Sequence, residues 1–315
     1  IKPTVNPPIG NDFGALKQWV NMQHDFDSFV FIPDYHALIS VQDGPRLQEL
    51  TLSLAIDFLA IGLDPEHVTL YKQSDVPCHT EATWIFNCLT TMPQLMRGHA
   101  FKDSEAKNKE VSVGLFDYPV LQTADIILYD ADIVPVGEDQ KQHIEMAREI
   151  ARKFNNTYGD TFKEPQEVIK EGVGVIPGND GRKMSKSYGN HLPLFATEEE
   201  TSKYVMAIAM DSKGIEEKKN PDDYALYNIA TLFCDDMQDV SLRAMFTEGG
   251  VGYGDIKKHV VTLNNDYLVH MRTEREKVAK KPDMVREILK KGGEKARAIA
   301  DAKMQEVRQK VRLAI

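Results

Sequence analysis

Apolar residues in the first half of the chain follow two alternating spacings. Short β-branched and aromatic runs at 28–32, 68–71, 132–136 and 174–176 have the length and residue types of buried strands. Between them apolar positions recur every three or four residues, which predicts helices over 47–61 and 80–95 and from Gly137 to Phe154. Strand and helix in alternation is the rhythm of a parallel sheet covered by helices. Turn formers from Pro177 to Gly181 break that rhythm. Beyond them only the helical spacing persists, in 204–210, 224–234, 256–272 and 283–311, with Gly249, Gly250, Pro282, Gly292 and Gly293 as punctuation. Thr197 and Glu200 have the spacing of a capping box, which predicts a helix start there. The expected architecture is α/β: a parallel-sheet domain over 1–190, then an all-helical domain over 191–315 whose last helix is long enough to pack back on the first.

A chain of 315 residues, 42% apolar and 27% charged, has the material for a large core and about two domains. Its 38 basic and 48 acidic residues give a net charge of −10, which argues against indiscriminate wrapping of nucleic acid or binding to an anionic membrane. The charge is uneven: residues 272–312 hold 14 basic and 7 acidic side chains, a pattern that fits a nucleic-acid contact and a solvated helix equally well. Cys78, Cys88 and Cys234 are too few and too scattered for a disulfide framework or a Cys-rich zinc site, so a reducing, cytoplasmic setting is expected. No apolar run approaches the roughly 20 residues of a spanning helix, so no membrane partner is expected either.

The sharpest local signal is Arg182-Lys-Met-Ser-Lys-Ser187, directly after the turn cluster. On a loop that Gly178 and Gly181 leave adaptable, the ammonium groups of Lys183 and Lys186 are suited to close over a polyphosphate and neutralise charge as pyrophosphate departs. Alone, two lysines three apart fit a solvated basic loop as well. Pro8-Ile-Gly-Asn11 puts a residue without Cβ before a predicted helix start, which suits phosphate approach and also suits an ordinary turn. Asp125, four residues before Tyr129 on an apolar helix, is a buried carboxylate in need of a partner. Trp84, Phe86, Met92 and Met96 read as helix packing.

Lys183-Met-Ser-Lys-Ser187 resembles the second signature of the class I aminoacyl-tRNA synthetases, and Pro8 to Asn11 stands where the first belongs. Tyr118-Pro-Val-Leu-Gln-Thr-Ala-Asp125 and Val134-Pro-Val-Gly-Glu-Asp-Gln-Lys-Gln-His143 resemble the tryptophanyl branch of that family, bacterial type, as do Ile1-Lys-Pro-Thr4 and Gly14 to Trp19. The resemblance runs nearly unbroken to about residue 190 and more loosely after it. It implies a Rossmann-like catalytic domain and an anticodon-binding helical domain. The implied reaction is activation of L-tryptophan by ATP, with Mg²⁺, to tryptophanyl-adenylate and pyrophosphate, then transfer to the terminal ribose of tRNA(Trp). It also implies a homodimer with one tRNA spanning both subunits.

Carried over by that resemblance, Asp125 accepts the indole N–H, Tyr118, Gln122 and His36 line the tryptophan pocket, Val134 and Val136 wall the indole, and Gln140 meets the ammonium and carboxylate end. ATP falls to Lys2, Pro3, Thr4, Gly10, Asn11, Gly137, Glu138, Asp139, Ile176, Lys183, Met184, Ser185, Lys186 and Ser187, with Lys183 and Lys186 catalytic; His143 reads as structural. The sequence departs from the family at Val5, Pro8 and Asp12, so the first signature is degenerate, and a phosphate contact that relatives make near Phe101 falls to Lys102 or Lys107. The four-cysteine iron–sulfur cluster of some relatives is not expected, nor is zinc. Two rivals remain. A tyrosyl enzyme would also use a Gln-x-x-Asp pair such as Gln122 and Asp125, though Gly137 to His143 goes against it; a silent paralogue binding tRNA or protein has only residues 4–12 in its favour.

Overall fold

The computed structural model describes residues 1–315 except 4–6, 12–14, 99–100, 102–109, 170–175, 186–187 and 314–315. Contacts gather the chain into two units. The first comprises Ile1–Val5, Gln18–Lys170 and Ala279–Ile315, the second Asn6–Lys17 and Glu171–Val278. The strand–helix spacing places a domain boundary near 190; by contacts, Glu171–Val278 form the second unit and Ala279–Ile315 cluster with the strands.

In the first unit β1 (Ser28–Ile32) and β2 (Val68–Lys72) run parallel, with Ser28 opposite Val68. A second parallel pair joins β3 (Ile133–Pro135) to β4 (Gln166–Val168). Parallel pairing follows from the strand–helix alternation, because each return crosses over through a helix. β4 has no apolar run to announce it, and the strand expected at 174–176 falls largely outside the described residues. Helix α1 is Lys17–Met22, and α2 (Gly44–Ala60) starts where the Asp43 carboxylate accepts the Arg46 N–H at 2.9 Å. The helix expected over 80–95 is α3 (Cys78–Asn87) followed by a separate turn, Met92–Leu95, which Pro93 opens. Phe86 of α3 is buried, but Trp84 is 72% exposed, Met92 63% and Met96 45%, so these three are not helix packing. Ser112 caps α4 (Val113–Ile127), and α5 is Lys141–Tyr158; both bury one apolar face in the core that holds Phe86, Phe154 and Phe162.

The second unit is helical: α6 (Glu198–Met206), α7 (Ala225–Ala230), α8 (Asp236–Thr247) and α9 (Tyr253–Ala279). The capping box before α6 is formed in both directions, Glu200 N–H to Thr197 Oγ1 at 3.1 Å and Thr197 N–H to Glu200 Oε2 at 2.8 Å. A second box, Asp235 with Gln238, opens α8, a helix the periodicity did not announce. Lys219 is 2% exposed, its ammonium enclosed by the carbonyls of Gly214, Ile215, Glu217 and Val251, which ties two loops to one buried charge.

The last helix, α10 (Pro282–Lys310), lies against β2 in the first unit. A Cβ on Gly292 would stand 1.9 Å from the Leu70 carbonyl oxygen, and one on Gly293 would stand 2.9 Å from Asp75 Cβ. The two glycines are the seam along which helix and strand approach, not the break that the sequence suggested. Val285, Leu289, Ala296, Ala300, Met304 and Val307 continue that buried face. Its cations are partly spent on holding it there. Lys295 pairs with Asp27 at 3.3 Å, Lys303 with Asp130 at 2.8 Å and Arg308 with Glu81, while the Arg297 guanidinium donates to the Asp75 carbonyl at 2.8 Å.

Candidate functional site

Asp125 stands on the buried side of α4 with its side chain 1% exposed. Its Oδ1 accepts from Gln73 Nε2 at 2.7 Å and from His79 Nδ1, and its Oδ2 pairs with His36 Nε2 at 2.8 Å. Burial alone would push its carboxyl up, but the hydrogen bonds and attraction of the two imidazoles outweigh that and hold it at about 2, so it is ionised. The donors come from three elements. His36 lies on the turn Asp34–Ala37 after β1, Gln73 follows β2, and His79 is near the start of α3. Gln73 also ties the first two together, its Oε1 accepting the His36 N–H at 3.4 Å. Beside them Asp34 accepts the Ser74 N–H at 2.9 Å and the Ser74 hydroxyl. The ends of the two paired strands are thus knitted into one polar floor.

The other residues assigned to tryptophan lie on neighbouring elements of the same unit. Tyr118 and Gln122 share α4 with Asp125 and are half-buried. The Tyr118 hydroxyl bonds His143 Nε2 at 2.8 Å, and its ring lies under the Lys2 ammonium, 5.3 Å from the centroid. His143, read as structural, therefore holds the Tyr118 hydroxyl. Val134 and Val136 pack against the core at and just after β3. Gly137 is extended, Glu138–Gln140 form one tight turn, and Gln140 occupies the N-cap position of α5, whose first turn has no side-chain cap. Pro3 is buried and Glu138 is exposed; the Asp139 side chain lies outside what is described.

The basic signature forms a hairpin in the second unit. Pro177 and Lys183 bridge antiparallel, Met184 N–H reaches the Ile176 carbonyl at 2.8 Å, and Gly178 N–H reaches the Arg182 carbonyl at 2.6 Å. Gly181, at φ +78°, makes the turn that an L side chain would strain. Asn190, 2% exposed, staples it: Oδ1 accepts the Ser185 N–H at 2.8 Å, and Nδ2 donates to Asp180 at 2.7 Å and to the Lys183 carbonyl at 3.2 Å. The Lys183 side chain is exposed at the end of this braced strand. The first signature lies alongside, with Ile9 N–H bonded to the Leu192 carbonyl at 2.8 Å and the Gly10 Cβ position 3.5 Å from Met184 Sδ. The fold thus joins two stretches about 170 residues apart in sequence, 7–10 and 176–194. Where a helix is expected from Asn11, Ile9–Asn11 and α1 (Lys17–Met22) are helical on either side of residues 12–14, which lie outside the described residues, and the Asn11 side chain is not described. Thr4, Lys102, Lys107, Lys186 and Ser187 lie outside the described residues.

The sequence did not single out Gln73, His79 or Asn190. Each works through partners distant in sequence or through a turn, so no local spacing marks it.

The profile of the class I tRNA synthetases for tryptophan and tyrosine (W and Y) matches residues 1–297. The chain belongs to this family. The tryptophan–tRNA ligase of Fusobacterium nucleatum is 44% identical, over 99% of this chain and 96% of its own length. The crystal structure of the Campylobacter jejuni tryptophanyl-tRNA synthetase, complexed with ADP and tryptophan, superimposes with a TM-score of 0.92 at 42% identity, covering 99% of this chain and 98% of that one. The Mycoplasma pneumoniae tryptophanyl-tRNA synthetase follows at 0.85 and 26%, covering 100% and 96%. With these synthetases as neighbours, the paired parallel strands and their helices are the Rossmann-like α/β fold of class I, followed by a helical region. No described helix is long and apolar enough to cross a membrane.

Proposed function

We propose that the chain is a tryptophan–tRNA ligase, converting L-tryptophan and ATP to tryptophanyl-adenylate and pyrophosphate and then charging tRNA(Trp). The observation that carries this is end-to-end likeness to a synthetase crystallised with ADP and tryptophan. In the first step the tryptophan carboxylate attacks the α-phosphorus in line, the new P–O bond forming as the bond to pyrophosphate breaks. Lys183, with Lys186, follows the charge onto pyrophosphate, and Mg²⁺ arriving with ATP would supply further neutralisation of the phosphate charge. Gly10 and Asn11 serve the nucleotide alongside Ile176, Met184, Ser185 and Ser187. Lys2, Pro3, Thr4, Gly137, Glu138 and Asp139 complete its contacts. Asp125 reads the indole N–H, with Tyr118, Gln122, His36, Val134 and Val136 around the ring and Gln140 at the amino-acid end. No covalent enzyme intermediate is needed.

The same reading places the protein in the cytoplasm, with tRNA anticodon bases splayed on the helical region. It pairs the chain with a second copy of itself, a reading compatible with the exposed apolar side chains of Trp84, Met92 and Val113. The tyrosyl alternative shares Gln122 and Asp125 but lacks tyrosine-specific relatives among those described above, and outward-facing Lys183 on a braced hairpin speaks against a silent paralogue. Aminoacylation tests the proposal: a tRNA(Trp) transcript should be charged with tryptophan and a tRNA(Tyr) transcript with nothing. Charging of tRNA(Tyr) with tyrosine would overturn it.

A further inference from the structure

His79 is completely buried, yet it is not among the residues that the family resemblance assigns to tryptophan. Phe31, Tyr71 and Tyr129 surround its ring at centroid distances of 6.1, 6.4 and 5.7 Å. Both its nitrogens are engaged: Nδ1 with Asp125 Oδ1, and Nε2 with the Tyr129 hydroxyl at 2.8 Å. An ionised carboxylate only accepts, so Nδ1 carries the hydrogen, and the Tyr129 hydroxyl anchors the ring from Nε2.

A carboxylate has about four acceptor sites. At Asp125 Gln73 and His79 fill the two on Oδ1, and His36 takes one of the two on Oδ2. Among the described residues no further donor meets Oδ2, which leaves one acceptor site there, and its direction is set by whatever prevents the carboxylate from turning about its Cβ–Cγ bond. Gln73 and His79 grip the opposite oxygen from two elements, and His79 is the more rigid, since its ring has three aromatic neighbours and is held at both nitrogens.

We propose that His79 is a positioning residue for amino-acid recognition: by holding Oδ1 it aims the remaining Oδ2 acceptor site of Asp125 at the ring N–H of the substrate. The proposal rests on the reading that Asp125 accepts the indole N–H. His79 touches no substrate atom, so its loss should be felt through Asp125 alone and only by substrates that carry a ring N–H.

The test compares kcat and KM in ATP–pyrophosphate exchange for tryptophan and for its benzothiophene analogue, which has no ring N–H. The proteins are wild type, His79→Leu, His79→Asn, Tyr129→Phe and Asp125→Asn, each with its thermal unfolding recorded. His79→Leu is expected to raise KM for tryptophan about tenfold, with kcat little changed and the analogue affected less than about threefold. His79→Asn, whose amide N–H₂ falls near the Nδ1 position, should recover most of that loss. Tyr129→Phe, which keeps the ring and removes the Nε2 anchor of His79, should give a smaller loss of the same selectivity, and serves if His79→Leu fails to fold. Equal losses for both substrates in the His79 and Tyr129 variants, with Asp125→Asn still selective, would overturn the positioning role alone. Equal losses in Asp125→Asn itself would overturn the reading beneath it, and the role of His79 with it.

Discussion

Asp125 holds a negative charge in a place closed to water, and it does so because three donors replace the solvent it has lost. Replacing it with Asn keeps an acceptor oxygen but gives up the charge-assisted part of each bond and adds an N–H₂ facing donors. Asp125→Asn should therefore lower kcat/KM for tryptophan by about ten- to hundredfold, and by less for the benzothiophene analogue. The same charge has a pH signature. The folded carboxyl lies at about 2, below its ordinary 3.8, so the stability it contributes is complete above the ordinary value and is lost as pH falls through the folded one. In urea unfolding, the stability gap between wild type and Asp125→Asn should be constant from pH 7 to about 5 and shrink by pH 3. A gap that grows on acidification would contradict this. At Lys183 the charge faces outward, and in the proposed mechanism it is needed when pyrophosphate leaves. Lys183→Ala should lower kcat for adenylate formation roughly a hundredfold, on the order of 3 kcal/mol, with tryptophan affinity held. Loss of tryptophan binding at constant kcat would assign the hairpin another task.

Elements tell how far the sequence could be read. Strands β1 and β2 and helices α2, α6 and α10 were legible because their apolar periodicity is long or their start carries a capping signature. β4 was not, because a three-residue strand with an exposed first position has no periodicity to show. Gly292 and Gly293 were misread for a physical reason. A glycine pair inside a helical pattern has the same letters whether it ends the helix or lets a strand come close, and only the Leu70 carbonyl decides. Gly292→Ala should thus cost on the order of 3 kcal/mol, since backbone rather than a flexible side chain is in the way. Gly254→Ala in α9, with nothing within 4 Å, should gain about 0.5 kcal/mol. Thermal unfolding of the pair checks this, and a tolerated Gly292→Ala would mean that α10 does not sit as close to β2 as described. The residues proposed for the tryptophan substrate are marked in the sequence only as letters matching a family. Their support from Gln73 and His79 is not marked, since it is assembled from chain segments some 50 residues apart from Asp125.

At the scale of the molecule, the basic tail changes meaning. Sequence offered a tRNA contact or a solvated face; four of its cations in fact fasten α10 to acidic or carbonyl groups of the strand-bearing unit, while Lys290 and Lys291 stay exposed. An ion pair spent inside the fold adds little to a phosphate-binding surface, so net charge along the sequence overstates that surface. Function at this scale rests on one claim, that the chain activates tryptophan. Amino-acid-dependent ATP–pyrophosphate exchange, run with tryptophan and tyrosine side by side, measures it directly. Exchange that requires tryptophan and stays at background with tyrosine is the predicted result; exchange with tyrosine alone, or with neither amino acid, would contradict the account.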